Sequence, residues 1–344
     1  MIHFQKPPEL YDGLRLHQNE NTGGCSPRVL EALASLRADQ IGFYPPYTAA
    51  TDACARYLGV SSDRIALTNG LDEGILTLAV AYLRPGSDRP VPEAVVPEPA
   101  FEIYRLDTEV AGGRLVQVMP KPDFRFPLDD VLAAITKHTR VVFLTNPNNP
   151  TGVSMPLDAI RTIARRVPDA AVVFVDEAYA EFAGETFIPQ LNEFPNVIVG
   201  RTFSKAYGLA GLRIGCLVGA PDALAPIRQA IPVYSVNIAA VVGLQAALQD
   251  RVFLDEYLRQ VAESKALMYA ACDRLKLRYW RSGANFVLVG AGDRTAKLVE
   301  GAAKRGVYIR DRSTEPGCQG CIRIGTGIVE HTKRCIAVME ETLG

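Results

Sequence analysis

Four short apolar runs in the sequence are each followed at once by side chains that can do chemistry. "RIALT" leads into residues 69–72, "RVVFLT" into 146–152, "AAVVFVD" ends on Asp176 just before Tyr179, and "NVIVGRT" precedes Lys205. Runs that are apolar throughout indicate strands buried on both faces, as in a parallel sheet between helices. Because ligands bind beyond the carboxyl ends of such strands, the sequence predicts one site that gathers an asparagine, an aspartate, a tyrosine and a lysine.

The chemistry of this set centres on the lysine. Lysine amines form Schiff bases with carbonyl cofactors, of which pyridoxal phosphate is the main one. That cofactor also needs a carboxylate beside its pyridine nitrogen, donors to its phenolic oxygen, and an anion cup made by a helix N-terminus and an arginine. The sequence has candidates for these needs: Lys205, Asp176, the pair Asn149 and Tyr179, and residues 69–74 with Ser204 and Arg213.

The elements that must position these residues follow an α/β pattern. From about residue 64 to 220, strand-like runs alternate with amphipathic stretches, which predicts a mostly parallel central sheet between helices. Long helical patterns from 235 to 277 precede "NFVLV", "GVYIR", "CIRIG" and a final helix, which indicates a smaller α+β domain. We therefore predict a large domain over 40–235 and a small domain built from 1–39 and 236–344.

Three long motifs carry a family resemblance. "NPNNPTG" (146–152), "DEAYAEF" (176–182) and "RTFSKAYGLAGLRIG" (201–215) occur in that order. The chain resembles the fold-type-I pyridoxal-phosphate aminotransferases over nearly its whole length, and most closely the histidinol-phosphate aminotransferases. Shorter motifs support the resemblance: "NEN" (19–21), "NGLDEGI" (69–75), "YIRD" (308–311) and "CIRIGTG" (321–327). The resemblance implies reversible transamination by a homodimer between a small-molecule amino donor and a 2-oxo acid.

The resemblance also implies roles around the cofactor. Lys205 would form the Schiff base and move the proton, Asp176 would pair with the pyridine nitrogen, and Asn149 and Tyr179 would bond the phenolic oxygen. The implied phosphate cup consists of Leu71, Asp72, Thr202, Ser204 and Arg213. The Asn149–Pro150 peptide is expected to be cis, a form that is largely confined to proline.

Four further residues are implied to contact the ring, the partner subunit or the substrate. Phe101, in "PEPAFEIY", would stack on the pyridine, and Tyr44, in "FYPPY", would reach the cofactor phosphate of the other subunit. Arg323, helped by Asn149, would bind the substrate carboxylate with its planar fork, and Arg310 would bind a substrate phosphate. Two arginines for two anionic ends favour a phosphorylated amino substrate.

Composition sets limits on the partners and the compartment. The 344 residues include 37 basic and 38 acidic ones, a net charge of −1, so no broad electrostatic field for nucleic acid or an anionic membrane is expected. The N-terminal segment lacks the pattern of a signal peptide, and seven scattered cysteines predict reduced thiols in the cytoplasm. The CxxC pair Cys318 and Cys321 lacks the second pair or nearby histidines of a zinc site, so we predict a loop that enters a buried strand.

Three alternatives remain open. An aromatic aminotransferase or a phospho-amino-acid decarboxylase of the same fold would use the same cofactor residues, because the reaction depends on which α-carbon bond lies perpendicular to the ring. A non-catalytic ligand-sensing module would be expected with a helix-turn-helix extension, which this sequence does not show. A nicotinamide dehydrogenase would need GxGxxG after its first strand, and the sequence has none there.

Overall fold

The computed structural model describes residues 12–87 and 90–344. Residues 1–11, which make up most of the N-terminal segment and the start of the predicted small domain, lie outside the described residues. The helices are α1 (Pro27–Ala34), α2 (Ala38–Gly42), α3 (Thr48–Leu58), α4 (Gly70–Leu83), α5 (Glu102–Val110), α6 (Leu128–Ala134), α7 (Leu157–Arg166), α8 (Ala180–Ala183), α9 (Pro221–Ala230), α10 (Ile238–Gln249), α11 (Arg251–Arg274), α12 (Thr295–Lys304) and α13 (Val329–Leu343).

The strands fall into a large sheet, a smaller sheet and one isolated pair. They are β1 (Leu14–Arg15), β2 (Ile65–Thr68), β3 (Glu93–Pro97), β4 (Arg114–Val118), β5 (Thr139–Thr145), β6 (Val172–Asp176), β7 (Val197–Thr202), β8 (Gly215–Gly219), β9 (Arg278–Tyr279), β10 (Phe286–Gly290), β11 (Val307–Tyr308), β12 (Arg310–Asp311) and β13 (Cys321–Gly325).

The large sheet confirms the predicted architecture. Over the described part of the chain it has seven strands in the order β2-β8-β7-β6-β5-β3-β4. The strands from β7 to β4 in this order run parallel, and β8 is antiparallel to both of its neighbours. β6, β7 and β8 are buried along their whole length, as expected for strands with helices on both faces. The fold is therefore α/β with a mostly parallel central sheet.

Alternation along β6 fixes the direction in which its last side chain points. Val173 and Val175 belong to the apolar cluster on one face of the sheet, whereas Val172 and Phe174 belong to the cluster on the other. Successive side chains of a strand point to opposite faces, so Asp176 follows Val172 and Phe174. The sequence of the strand thus places this carboxylate at the carboxyl end of the sheet, above a fully apolar core.

The small domain contains the second sheet, in the order β12-β13-β10-β9, and the parallel pair of β1 with β11. Its own apolar core joins these strands to α11, α12 and α13. Cys318 lies in the turn before β13 and Cys321 is the first residue of β13, both as buried free thiols. The predicted loop entering a buried strand is therefore confirmed.

The packing of two helices bears on the proposed domain boundaries. Val29 of α1 and Ala240 and Leu244 of α10 belong to the apolar cluster that contains one face of the large sheet. The division at residues 39 and 235 remains a proposal, and this packing places the two helices with the large sheet. The first long helix that packs in the small-domain core is α11.

Candidate active site

A cavity of about 550 Å³ opens where the carboxyl ends of β5, β6 and β7 face the small domain. It is lined by the site residues that the sequence predicts, with the exception of Tyr44. These lining residues are Leu71, Asp72, Phe101, Asn149, Asp176, Tyr179, Thr202, Ser204, Lys205, Arg213, Arg310 and Arg323. The fold therefore brings together in one place residues that are up to 252 positions apart in the chain.

Lys205 lies just after β7, with its side chain in the cavity. Its Nζ donates a hydrogen bond to the carbonyl oxygen of Gln18 at 3.0 Å. Burial, and next the positive charge of Arg323, lower the pKa of Lys205 to about 8. About a tenth of the amine is therefore uncharged at pH 7, far more than for an ordinary lysine, and an uncharged amine is the nucleophilic form.

Asp176, the last residue of β6, is held by two donors. The backbone N–H of Ala178 donates to Oδ1 at 2.9 Å, and the hydroxyl of Tyr104 donates to Oδ2 at 2.6 Å. Burial raises the pKa of Asp176 to about 6, and the Tyr104 hydrogen bond is the main interaction that opposes this rise. The carboxylate is consequently ionised at neutral pH and fixed in orientation.

Tyr104 is a functional residue that the sequence analysis missed. It is fully buried, its ring stacks on Phe143 with centroids 4.9 Å apart, and Phe101 meets it edge-on at 5.9 Å. Its hydroxyl also lies 2.9 Å from Oγ1 of Thr145. The spacing in the sequence indicates its position, because a residue three places after Phe101 lies on the same side of the helix.

An anion cup forms at the start of α4. The Asn69 side chain makes no capping hydrogen bond, so the backbone N–H groups at the start of this 14-residue helix point to the cavity without a side-chain partner from Asn69. Arg213 reaches the same place and pairs with Asp72 at 3.0 Å. Gly70 has a φ of +75°, a conformation that favours glycine, and a Cβ there would also meet the Arg213 guanidinium. Thr202 and Ser204, joined by a 3.2 Å hydrogen bond, line the cavity beside it.

Asn149 and Tyr179 each have a hydrogen-bond donor group that is free to bond a ligand in the cavity. The Asn19 amide donates to the Tyr179 hydroxyl at 3.0 Å, which leaves the hydroxyl proton to point elsewhere. Arg323 donates to Oδ1 of Asn149 at 2.5 Å, which leaves the Asn149 amide nitrogen to donate. The Asn149–Pro150 peptide is cis, as the sequence analysis predicts.

The two substrate arginines lie on one wall. Arg310 of β12 and Arg323 of β13 are cross-strand partners in the antiparallel register, so their guanidinium groups face the same region of the cavity. Arg323 is buried, and its Nη2 donates to the carbonyl oxygen of His17 at 2.7 Å. Burial, and next the charge of Arg312, lower the pKa of Arg323 to about 9, so the side chain is still a cation at neutral pH.

Arg312 and His17 also line this wall, and neither is among the residues predicted from the motifs. Arg312 could have been found from alternation, because two residues along a strand from Arg310 a side chain returns to the same face. His17 lies two positions before the "NEN" motif, and no residue pattern marks it as a pocket residue.

Tyr44 lies outside the cavity of its own chain. Its side chain is 74% exposed, and the ring stacks on Tyr234 with centroids 4.0 Å apart. The reach of Tyr44 into the site of a second subunit stays a prediction.

The donor set fits pyridoxal phosphate. The helix start with Arg213 suits a phosphate, the ionised Asp176 suits a protonated ring nitrogen, and the free donors of Asn149 and Tyr179 suit a phenolic oxygen. Phe101 offers an aromatic face at the cavity wall. The amine of Lys205, with its lowered pKa, is the group that would hold the cofactor aldehyde.

Comparison with known proteins agrees with this chemistry. The family model described as aminotransferase class I and II matches residues 11–336. The histidinol-phosphate aminotransferase of Symbiobacterium thermophilum is 37% identical over 99% of this chain and 93% of its own length, and that of Moorella thermoacetica is 33% identical over 96% and 86%. The crystal structure of the Sinorhizobium meliloti histidinol-phosphate aminotransferase in complex with pyridoxal 5'-phosphate is 28% identical, covers 96% of this chain and 91% of that one, and superposes with a TM-score of 0.87.

Proposed function

The chain belongs to the class I and II aminotransferases, and we propose that it is a pyridoxal-phosphate-dependent histidinol-phosphate aminotransferase. It converts histidinol phosphate and 2-oxoglutarate reversibly to imidazole-acetol phosphate and glutamate. The observation that carries this proposal is the convergence of Lys205 and Asp176 with an arginine-rich wall on one cavity. Relatives of the same name match the chain over nearly its full length.

Asp176 and Lys205 have different roles in the proposed reaction. When bound, pyridoxal phosphate supplies an electron sink for negative charge at the substrate α-carbon. Asp176 holds the proton on the ring nitrogen, because its negative charge favours the protonated form. Lys205 Nζ would accept the proton from the substrate α-carbon and pass it to the cofactor carbon, and the lowered pKa of this amine suits both directions near neutral pH.

The arginine wall accounts for substrates of different chemistry. Histidinol phosphate has a phosphate monoester and an imidazole beside its amine, whereas glutamate has two carboxylates. Arg310 and Arg323 face the same region, and guanidinium forks bind phosphate and carboxylate alike. An amino donor whose anionic group contacts only Arg323 leaves the Arg310 guanidinium without an acceptor. The two arginines therefore favour binding of a phosphorylated amino donor.

A homodimer completes the proposal. Ile41, Phe43, Tyr44, Val233 and Tyr234 are large apolar side chains that are more than half exposed, and the Tyr44 and Tyr234 rings stack. Exposed apolar surface of this kind is typical of an interface. We propose that a second copy covers it and that Tyr44 then reaches the cofactor phosphate of that copy.

We propose a cytoplasmic location. The seven cysteines are free thiols, as expected in a reducing compartment. No helix in the described ranges is long and apolar enough to cross a membrane.

The substrate assignment is tested by steady-state assays with 2-oxoglutarate as acceptor. The wild type should use histidinol phosphate in preference to phenylalanine, and Arg310→Ala should reduce that preference by about ten-fold or more because a charge-assisted contact is lost. Arg334→Ala, which removes an exposed arginine in α13, is the control and should leave the preference unchanged. Equal use of both donors by the wild type would indicate an aromatic aminotransferase, and carbon dioxide release without an acceptor would indicate a decarboxylase.

A further inference from the structure

Three buried nitrogen atoms on one wall of the cavity have no hydrogen-bond partner among the described residues. They are Nδ1 of His17, Nε of Arg312 and Nε of Arg323. The three side chains are only 5%, 6% and 6% exposed, and all of them line the cavity. A buried donor without an acceptor is costly, so this wall is built for a ligand that is rich in acceptor atoms.

The tautomer of His17 makes its unpaired nitrogen a donor. The Nε2 atom of His17 lies 3.2 Å from Nε2 of Gln18, and an amide NH₂ group can only donate. With the Gln18 amide in this orientation, Nε2 of His17 accepts the bond and the proton of the neutral ring lies on Nδ1. Burial, and next the charges of Arg310, Arg15 and Arg323, lower the pKa of His17 to about 4, which keeps the ring neutral at physiological pH.

The charge of the wall suits a dianion. Arg310, Arg312 and Arg323 lie on or just beyond two paired strands and face one cavity. Over the residues that the structure describes, this cluster has one salt bridge, between Nη1 of Arg312 and Oε1 of Glu315 at 3.4 Å. Within this cluster three cations stand against one carboxylate, an excess of two positive charges, because Glu20, which also lines the cavity, pairs with Arg15. A phosphate monoester has nearly two negative charges at neutral pH, whereas a carboxylate has one.

We propose that Arg312 and His17 form the part of the anion site that selects a phosphate monoester over a carboxylate. This inference rests on the proposed function, because it concerns the group by which that substrate would be recognised. One guanidinium fork, that of Arg323, satisfies a carboxylate with its two oxygens. A phosphate has further oxygens, and Nε of Arg312 and Nδ1 of His17 are the unpaired donors that can meet them.

The test measures binding of two amine-free anions to the holoenzyme by titration calorimetry. Propyl phosphate and butyrate are the probes, since neither can react. The wild type should bind propyl phosphate more tightly, and Arg312→Gln should reduce the ratio of the two affinities by about ten-fold or more. Arg312→Lys, which keeps the charge but lacks the Nε donor and the fork, should give an intermediate ratio. His17→Phe should also reduce the ratio.

Two further variants separate recognition from folding. Arg312→Gln combined with Glu315→Gln avoids an unpaired buried carboxylate and should show the same reduced ratio. Arg305→Gln, an exposed arginine paired with Glu341, should behave as the wild type. An unchanged ratio in the folded double variant overturns the proposal.

The outcome is separable from that of the proposed function. If histidinol phosphate is not a donor but the phosphate preference still depends on Arg312, the substrate assignment fails and the anion site stands. If histidinol phosphate is a donor but Arg312→Gln weakens both probes equally, the anion site fails and the substrate assignment stands.

Discussion

At the residue scale, two ionisable groups at neighbouring strand ends have pKa values that approach neutrality from opposite sides. Burial lowers the pKa of the Lys205 amine to about 8 and raises that of the Asp176 carboxyl to about 6. In both cases the charged form loses water. The amine is thereby available as a nucleophile and base, while the carboxylate is still ionised at neutral pH.

The lowered pKa of Lys205 predicts how the amine reacts in cofactor-free protein. Its modification by trinitrobenzenesulfonate should rise with an apparent pKa near 8, well below the value of about 10.4 for an ordinary lysine. Peptide mapping at each pH measures the rate at Lys205, and exposed Lys333 in α13 is the internal control. Parallel titration of the two lysines would contradict the account.

Tyr104 should control the ionisation of Asp176. Its hydroxyl favours the charged carboxylate, so Tyr104→Phe should raise the pKa of Asp176 further. The loss of pyridoxal phosphate affinity on acidification should then begin roughly one pH unit higher than in the wild type. Tyr82→Phe, which removes a hydroxyl bonded to the carbonyl of Ala223 outside the cavity, is the control. Identical pH profiles for Tyr104→Phe and the wild type would refute this role.

At the element scale, the strands that the sequence predicts are those with uninterrupted apolar runs. β3 (Glu93–Pro97) is missed because its short run lies among prolines, and β4 (Arg114–Val118) because it is an edge strand with partly exposed residues. Lys205 and Asp176 are predictable because Asp176 ends a strand and Lys205 comes three residues after one. Helix spacing and strand alternation place Tyr104 near Phe101 and Arg312 on the same face as Arg310, but their roles depend on which side of the helix and which face of the sheet line the cavity, and only the structure gives that.

Asp107 of α5 should make stability depend on pH. It is 6% exposed, and its Oδ2 has no hydrogen-bond partner in the described part of the chain. Burial, and next the charge of Asp72, raise the pKa of Asp107 to about 7. The folded state therefore binds this proton more tightly than the unfolded state, so the contribution of Asp107 to stability is present below about pH 4 and is lost as the pH rises through about 7.

The measurement is the free energy of unfolding of Asp107→Asn and wild type from pH 4 to pH 8. The advantage of the variant over the wild type should grow with pH by up to roughly 4 kcal/mol, which is the free energy that corresponds to a pKa raised from 3.8 to about 7. Asp273→Asn, at a position exposed on α11, is the control and should show no such trend. A gap between Asp107→Asn and wild type that is constant over this range, or that shrinks as the pH rises, would show that Asp107 is not protonated preferentially in the folded state.

At the scale of the whole molecule, the proposed dimer makes each site depend on two chains. The exposed Tyr44 ring lies outside its own cavity, so its proposed partner is the cofactor phosphate of the other subunit. Hybrid dimers distinguish the two arrangements, because they can pair a chain that lacks Tyr44 with a chain that lacks Lys205.

Mixing Tyr44→Ala with Lys205→Ala protein under subunit exchange should restore one fully competent site. The Tyr44→Ala chain supplies Lys205 and receives Tyr44 from its partner, so pyridoxal phosphate affinity at that site should return to the wild-type value. Separately, Tyr44→Ala dimers should bind the cofactor more weakly by about ten-fold. Weak binding in the hybrid, equal to that of Tyr44→Ala alone, would place the role of Tyr44 within its own chain.

The central claim, that this chain takes an amino group from histidinol phosphate by means of Lys205, is tested most directly by a single half-reaction followed in the visible spectrum. Holoenzyme mixed with histidinol phosphate and no acceptor should lose its visible cofactor absorbance in one turnover, form imidazole-acetol phosphate, and recover the absorbance when 2-oxoglutarate is added. Lys205→Ala loaded with cofactor should show at most a very slow change, since the base that moves the α-proton is gone. A wild-type spectrum that histidinol phosphate leaves unchanged while phenylalanine bleaches it, or full turnover by Lys205→Ala, would contradict the account.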